Sequence, residues 1–172
     1  MSCTELFIVT NKGSCIGYED YRNSHRGAAM VWNNLYKEFC GDYIKAKNAQ
    51  QGWAQEFPLS LEDNRQVWKL FKDEKIPRDI RIVLGSTFDY VILKQENFED
   101  FHKAVEVYAE WFPCGTLLQQ ANDIVSLKRR KILGVCWNQT SVCSMWYGRG
   151  NRHYNIFKQK TYPILSKMIL KH

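Results

Sequence analysis

Between positions 128 and 160 the chain gathers cations and rings. Lys128, Arg129, Arg130 and Lys131 form one block, and Arg149, Arg152, His153, Lys158 and Lys160 follow, interleaved with Tyr147, Tyr154 and Phe157. Mobile or forked cations bind phosphate oxygens, and flat side chains stack on unpaired bases, so this mixture has the chemistry to hold a nucleic acid or another polyanion. Gly148-Arg149-Gly150 adds a backbone able to approach a phosphate closely. A blander origin gives the same pattern: cations collect at the negative end of a helix, and rings are taken up by the core. No RRM, KH or zinc-finger signature accompanies the cluster.

Other chemistries have less to stand on. His25, His102, His153 and His172 are scattered and no Cys-x-x-Cys occurs, so the sequence calls for no metal and no cofactor. Cys114 follows Pro113 at a helix exit, with His102 about three turns earlier on the same helix, too far for a nucleophile and its base. Glu99-Asp100 and Asp73-Glu74 are adjacent in sequence and point apart on a helix, which suits caps and solvated faces better than acid/base work. Neither G-x-x-x-x-G-K-[ST] nor G-x-G-x-x-G is present. No catalytic residue is named on these grounds.

Charge is distributed unevenly. Residues 1–120 hold 14 Lys+Arg against 17 Asp+Glu, net −3, whereas residues 121–172 hold 10 Lys+Arg against Asp123 alone, net +9. Such asymmetry points to a polyanionic partner for the last third. With 172 residues, 45% hydrophobic, the chain suffices for one globular domain over 1–172. No run of eighteen apolar residues suggests a membrane span and no secretory signal opens the chain, so an intracellular, cytoplasmic protein without a membrane partner is expected. In that setting the six cysteines read as reduced, mostly buried thiols, and the sequon Asn138-Gln139-Thr140 carries no meaning.

The elements that must position the basic cluster follow from periodicity. Ile132–Trp137 and Val142–Tyr147 are rich in β-branched and aromatic residues, and the polar residues Asn138-Gln139-Thr140-Ser141 between them predict a hairpin. The consecutive Val135-Cys136-Trp137 argues for cover on both faces and a central place in a sheet. Glu5–Thr10 predicts a strand closed by Asn11-Lys12-Gly13, and 14–24 read as irregular. Ala28, Val31, Trp32, Leu35, Tyr36 and Phe39 predict a helix stopped by Gly41. Ser60-Leu61-Glu62-Asp63 resembles a capping box. The span 79–86 fits a strand or a short helix after Pro77, with helix preferred. A strand is expected at Tyr90–Leu93. Asn97 with Asp100, and Thr116 with Gln119, are expected to cap two further helices, the second ending at the Lys128–Lys131 block. Tyr154–Phe157 predicts a strand and Pro163 opens a last helix. Together these predict an α+β domain, a small mixed or antiparallel sheet with flanking helices.

Gly27-Ala28-Ala29 with Trp32, then Ser86-Thr87-Phe88-Asp89, then Trp137-Asn138-Gln139-Thr140-Ser141 resembles a pattern in uncharacterised small proteins of bacteriophages and prophages. The resemblance implies a phage-encoded accessory role and brings no site residues. Three readings are thus carried forward. The first is a non-catalytic binding protein for nucleic acid or another polyanion. The second is a phage accessory protein or inhibitor acting on a host protein, and the third an enzyme of unfamiliar design.

Overall fold

The run Leu6-Phe7-Ile8-Val9 is apolar at every position, and a strand of that pattern needs cover on both faces. In the computed structural model, which describes residues 3–22, 25–41, 59–89, 91–139 and 156–158, it lies within strand β1 (Cys3–Val9). A turn follows in which Gly13 takes φ 78° and its N–H donates to the Thr10 carbonyl at 2.9 Å. The chain then returns as β2 (Cys15–Arg22), antiparallel to β1. The expectation that 14–24 are irregular is therefore corrected. The pairing shifts between Leu6 and Phe7, where Glu19 and Gly17 are the respective partners, so Tyr18 is an extra residue and the two-residue period changes phase inside β2. A bulge of that kind hides a strand from any test for alternation.

The other strands are β3 (Ile92–Lys94) and β4 (Gly134–Gln139), in the all-antiparallel order β2-β1-β4-β3. β4 is central, as the Val135-Cys136-Trp137 run requires. β1 pairs with β4 along the whole of β4, from Val9 opposite Gly134 to Thr4 opposite Gln139, while β3 pairs with Gly134–Cys136. Gly134 is needed for this approach, because a Cβ there would lie 2.1 Å from the Leu93 carbonyl oxygen. The second arm of the expected hairpin, Val142–Tyr147, lies outside the described residues, as does the expected helix from Pro163.

Five α-helices are described: α1 (His25–Leu35), α2 (Leu61–Lys69), α3 (Arg78–Ser86), α4 (Phe98–Trp111) and α5 (Gly115–Ser126). α1 runs on into a π-helical turn, Tyr36–Cys40, closed when Gly41 at φ 94° donates its N–H to the Tyr36 carbonyl at 2.9 Å. The Ser60 capping box is formed, with Asp63 N–H donating to Ser60 Oγ at 3.1 Å and Ser60 N–H to Asp63 Oδ2 at 3.2 Å. The 79–86 segment is helical: Ile80, Ile82, Val83, Leu84, Gly85 and Ser86 are all buried, and a helix enclosed on most sides mimics strand alternation in sequence.

Two expected caps are corrected. Asn97 occupies the cap position of α4 but its side chain makes no capping bond. α5 starts one residue before Thr116, with Cys114 as its uncapped N-cap. The described part of the expected Tyr154–Phe157 strand, Ile156 and Phe157, belongs to a turn that continues to Lys158, tied to the sheet by Ile156 N–H donating to the Ile92 carbonyl at 3.3 Å.

The helices share one core with a face of the sheet. Leu6, Ile8, Leu93, Val135 and Trp137 join Trp32, Phe71, Phe88, Phe101 and Tyr108. Edge-on ring pairs organise it: Trp32 with Trp68 at 5.6 Å and Phe71 with Phe88 at 5.5 Å between centroids. On the opposite face Phe7, Val9, Cys15, Ile92 and Cys136 form a second buried cluster with Leu133 against it. The protein is thus α+β, a four-stranded antiparallel sheet with flanking helices. Among the described residues no helix is long and apolar enough to cross a membrane.

Candidate polyanion-binding surface

α5 buries Leu117, Ala121 and Ile124, and its last turn tightens into a 3-10 turn, Leu127–Arg129, whose Leu127 is still inside the core. The four cations follow at the point where the helix runs out of apolar contacts, and Lys128, Arg129, Arg130 and Lys131 are all exposed. Their backbone is held from several directions. Arg130 N–H donates to the Leu127 carbonyl at 2.9 Å, and Leu133 N–H to the Val9 carbonyl at 2.9 Å. The side-chain amide of Gln95 donates to the carbonyls of Lys128, at 3.0 Å, and of Arg130, and lies 3.3 Å from that of Leu127. Gln95 therefore caps the helix C-terminus from another part of the chain.

The four side chains have different neighbours. Lys128 Nζ lies 2.8 Å from Glu99 Oε1, and this ammonium holds the Glu99 carboxyl below its usual range. The Arg130 guanidinium sits 5.7 Å from the centroid of the Tyr18 ring on β2. No ion pair joins Arg129, Arg130 or Lys131 to a carboxylate among the described residues. Lys158 Nζ is 3.9 Å from Glu96 Oε1, and half-buried Phe157 packs on the core with the Arg78 guanidinium 5.2 Å from its ring centroid. Tyr147, Arg149, Arg152, His153, Tyr154 and Lys160 lie outside the described residues. The structure thus brings the Lys128–Lys131 turn together with Tyr18, and sets Lys158 and Phe157 among residues of α3 and the segment before α4.

An open cleft of about 570 Å³ borders the turn, lined among others by Lys94, Glu96, Glu99 and Lys128. Its charges alternate in sign, which suits it to no single class of ion. Asp123, the one acid after position 120, accepts from Tyr21 OH at 2.7 Å. Burial and that carboxylate push the Tyr21 phenol well above its usual range.

Sequence reasoning missed Gln95, Tyr18, Glu96 and Glu99. Each meets the basic residues only through tertiary folding, the Lys128–Glu99 bond spanning 29 positions, and no local pattern announces it.

Other candidate chemistry is accounted for by structure. His102 Nε2 lies 2.8 Å from Asn122 Oδ1 and its Nδ1 3.4 Å from Glu106 Oε2, on the outer side of α4 and α5. Among the described residues no three His, Cys, Asp or Glu side chains converge as a metal site. Of the three motifs singled out in the sequence, Ala28, Trp32, Ser86, Thr87, Phe88, Asp89 and Trp137 are buried. Trp32 Nε1 donates to Thr87 Oγ1 at 2.9 Å, Thr87 Oγ1 donates to the Leu84 carbonyl at 2.6 Å, and Trp137 Nε1 donates to Gln120 Oε1 at 3.2 Å. These residues bind the core together. Comparison with known proteins finds no matching family model, no matching curated protein and no matching solved structure.

Proposed function

We propose that this is a non-catalytic binding protein that takes a polyanion, nucleic acid foremost, on the turn following α5. The observation that carries the reading is the exposure of three consecutive cations, Arg129, Arg130 and Lys131, on a backbone fixed by Gln95 and β1, with no carboxylate within ion-pair distance among the described residues. A fixed turn presents its charges without first losing chain entropy, which favours association. Lys128, paired with Glu99, and Lys158, paired with Glu96, are available only when phosphate displaces those carboxylates. Arg149, Arg152 and Lys160 extend the positive field in this reading, and Tyr147 and Tyr154 supply stacking rings, whereas Phe157 packs on the core.

The test is oligonucleotide binding by fluorescence anisotropy, with single- and double-stranded probes, at 50 and 200 mM salt. Three phosphate contacts give a log–log salt slope of about −2.7 on duplex DNA, so affinity should fall about 40-fold over that range. The variant with Arg129, Arg130 and Lys131 changed to Ala should remain folded and lose that slope. Absence of binding at 50 mM, or binding indifferent to salt, sets the polyanion reading aside in favour of a protein partner.

A further inference from the structure

Tyr18 is the extra residue of the β2 bulge, and its half-buried ring packs against the core between sheet and helices. Its hydroxyl lies 3.4 Å from Ser126 Oγ at the last residue of α5, and the Arg130 guanidinium sits over the ring, 5.7 Å from its centroid. Of the four cations in the turn, Arg130 alone covers a ring among the described residues. The pair is held from both sides. Tyr18 belongs to a strand paired with β1, and the Arg130 backbone is fixed by the Leu127 carbonyl and the Gln95 side chain. Ile16 pairs with Ile8, whose side chain joins the helix-side core, so Ile16 is on that face too, and it is 41% exposed.

A guanidinium is planar and weakly hydrated, so with one face over a ring its other face is a platform for a further flat group. Arg130 is exposed, which leaves that outer side open to solvent. We propose that the turn takes single-stranded nucleic acid, one unpaired base stacking on the Arg130 guanidinium above Tyr18 while Arg129 and Lys131 hold the flanking phosphates. Such stacking presupposes the polyanion reading of the same turn and narrows its ligand to unpaired strands. A duplex keeps its base faces stacked on one another, whereas an unpaired base has a face to spare.

Charge sets the course of the strand. Arg129 and Lys131 flank Arg130 and are exposed, while the exposed acids Glu19 and Asp20 follow Tyr18 on β2, so the phosphates lie on the side of the turn and away from these carboxylates. Phosphate contacts weaken with salt and stacking does not depend on releasing counterions, so the two contributions separate in one titration.

The experiment compares, on the full-length chain, a labelled oligothymidylate with an abasic deoxyribose-phosphate strand of equal length and charge, by anisotropy at 50 and 200 mM salt. The base-bearing strand should bind about 5-fold or more tighter at both salts, with the same log–log salt slope as the abasic one. Arg130→Lys keeps the charge without the plane, and Tyr18→Leu removes the ring beneath it. Each should bring the ratio of the two affinities toward one and leave the slope unchanged, while Tyr18→Phe should retain the ratio. Equal affinity of the wild-type chain for both strands, with salt-dependent binding intact, overturns the stacking and leaves the polyanion reading standing. Absence of binding to either strand at 50 mM removes both. A ratio undiminished in Arg130→Lys and Tyr18→Leu assigns the stacking to other rings and also overturns the proposal. Should Tyr18→Leu fail to fold, Arg130→Lys, a change at an exposed side chain, decides alone.

Discussion

Trp137 fastens the central strand to α5, and replacing it with Phe measures how strongly that fastening supports the basic turn between them. Its ring is fully buried, lies 5.5 Å from Phe101 between centroids, and donates from Nε1 to Gln120 Oε1 at 3.2 Å, with Gln120 itself 4% exposed. Trp137→Phe has two costs. The vacated volume, on the order of 40 Å³ at about 24 cal/mol per Å³, costs about 1 kcal/mol if the site does not collapse. Leaving the buried Gln120 oxygen without this donor costs about 1–3 kcal/mol more. The sum, about 3 kcal/mol, should lower the thermal midpoint by roughly 6–12 °C for a chain of this size. Urea titration followed by far-UV circular dichroism is the assay, because fluorescence changes with the indole itself. Gln120→Met should cost a similar amount by leaving the indole N–H without its acceptor. The double variant should cost at least about 1 kcal/mol less than the two singles added, since both polar partners are then gone. Strictly additive losses, or a Trp137→Phe cost under about 0.5 kcal/mol, would refute the claim that this hydrogen bond joins strand to helix. Amide exchange at Lys128–Lys131 should quicken in the same variant, as the segment between the fastened elements loosens.

Two further outcomes follow from charge and protonation. Glu99→Gln removes the carboxylate facing Lys128 at 2.8 Å, so the freed ammonium should tighten oligonucleotide binding at low salt and steepen the log–log salt slope by about 0.9, read by anisotropy. Tyr21 and Tyr108 both have phenol pKa values raised by burial, Tyr21 also by its bond to Asp123. A group protonated in the fold but ionised when unfolded contributes stability that is complete below about pH 10 and is lost as pH climbs from there toward the folded value. The unfolding free energy from urea titration should accordingly fall above about pH 10, by up to about 1.4 kcal/mol per pH unit for each such phenol, and the fall should be shallower in Tyr21→Phe.

The sequence by itself determined what depends on neighbours a few residues apart. The Trp32 helix and its Gly41 stop, the Ser60–Asp63 capping box, the helical choice for 79–86 and the central place of Val135-Cys136-Trp137 all follow from local period, turn chemistry or a doubly apolar strand. The exposure of the cations after Leu127 was legible for the same reason, because the apolar stripe of the helix ends there. Tertiary structure alone decided the rest. β2 was hidden because a bulge opposite Leu6 and Phe7 shifts its alternation, Asn97 keeps the cap position without making a capping bond, and Thr116 lost its expected role to a helix that starts one residue earlier. Gln95 beneath the basic turn, Glu99 against Lys128, Tyr18 under Arg130 and the meeting of Cys15 with Cys136 are all encounters between distant segments. Such contacts are set by which strand lies beside which, and that order is fixed only when β1 is buried on both faces between its two neighbours.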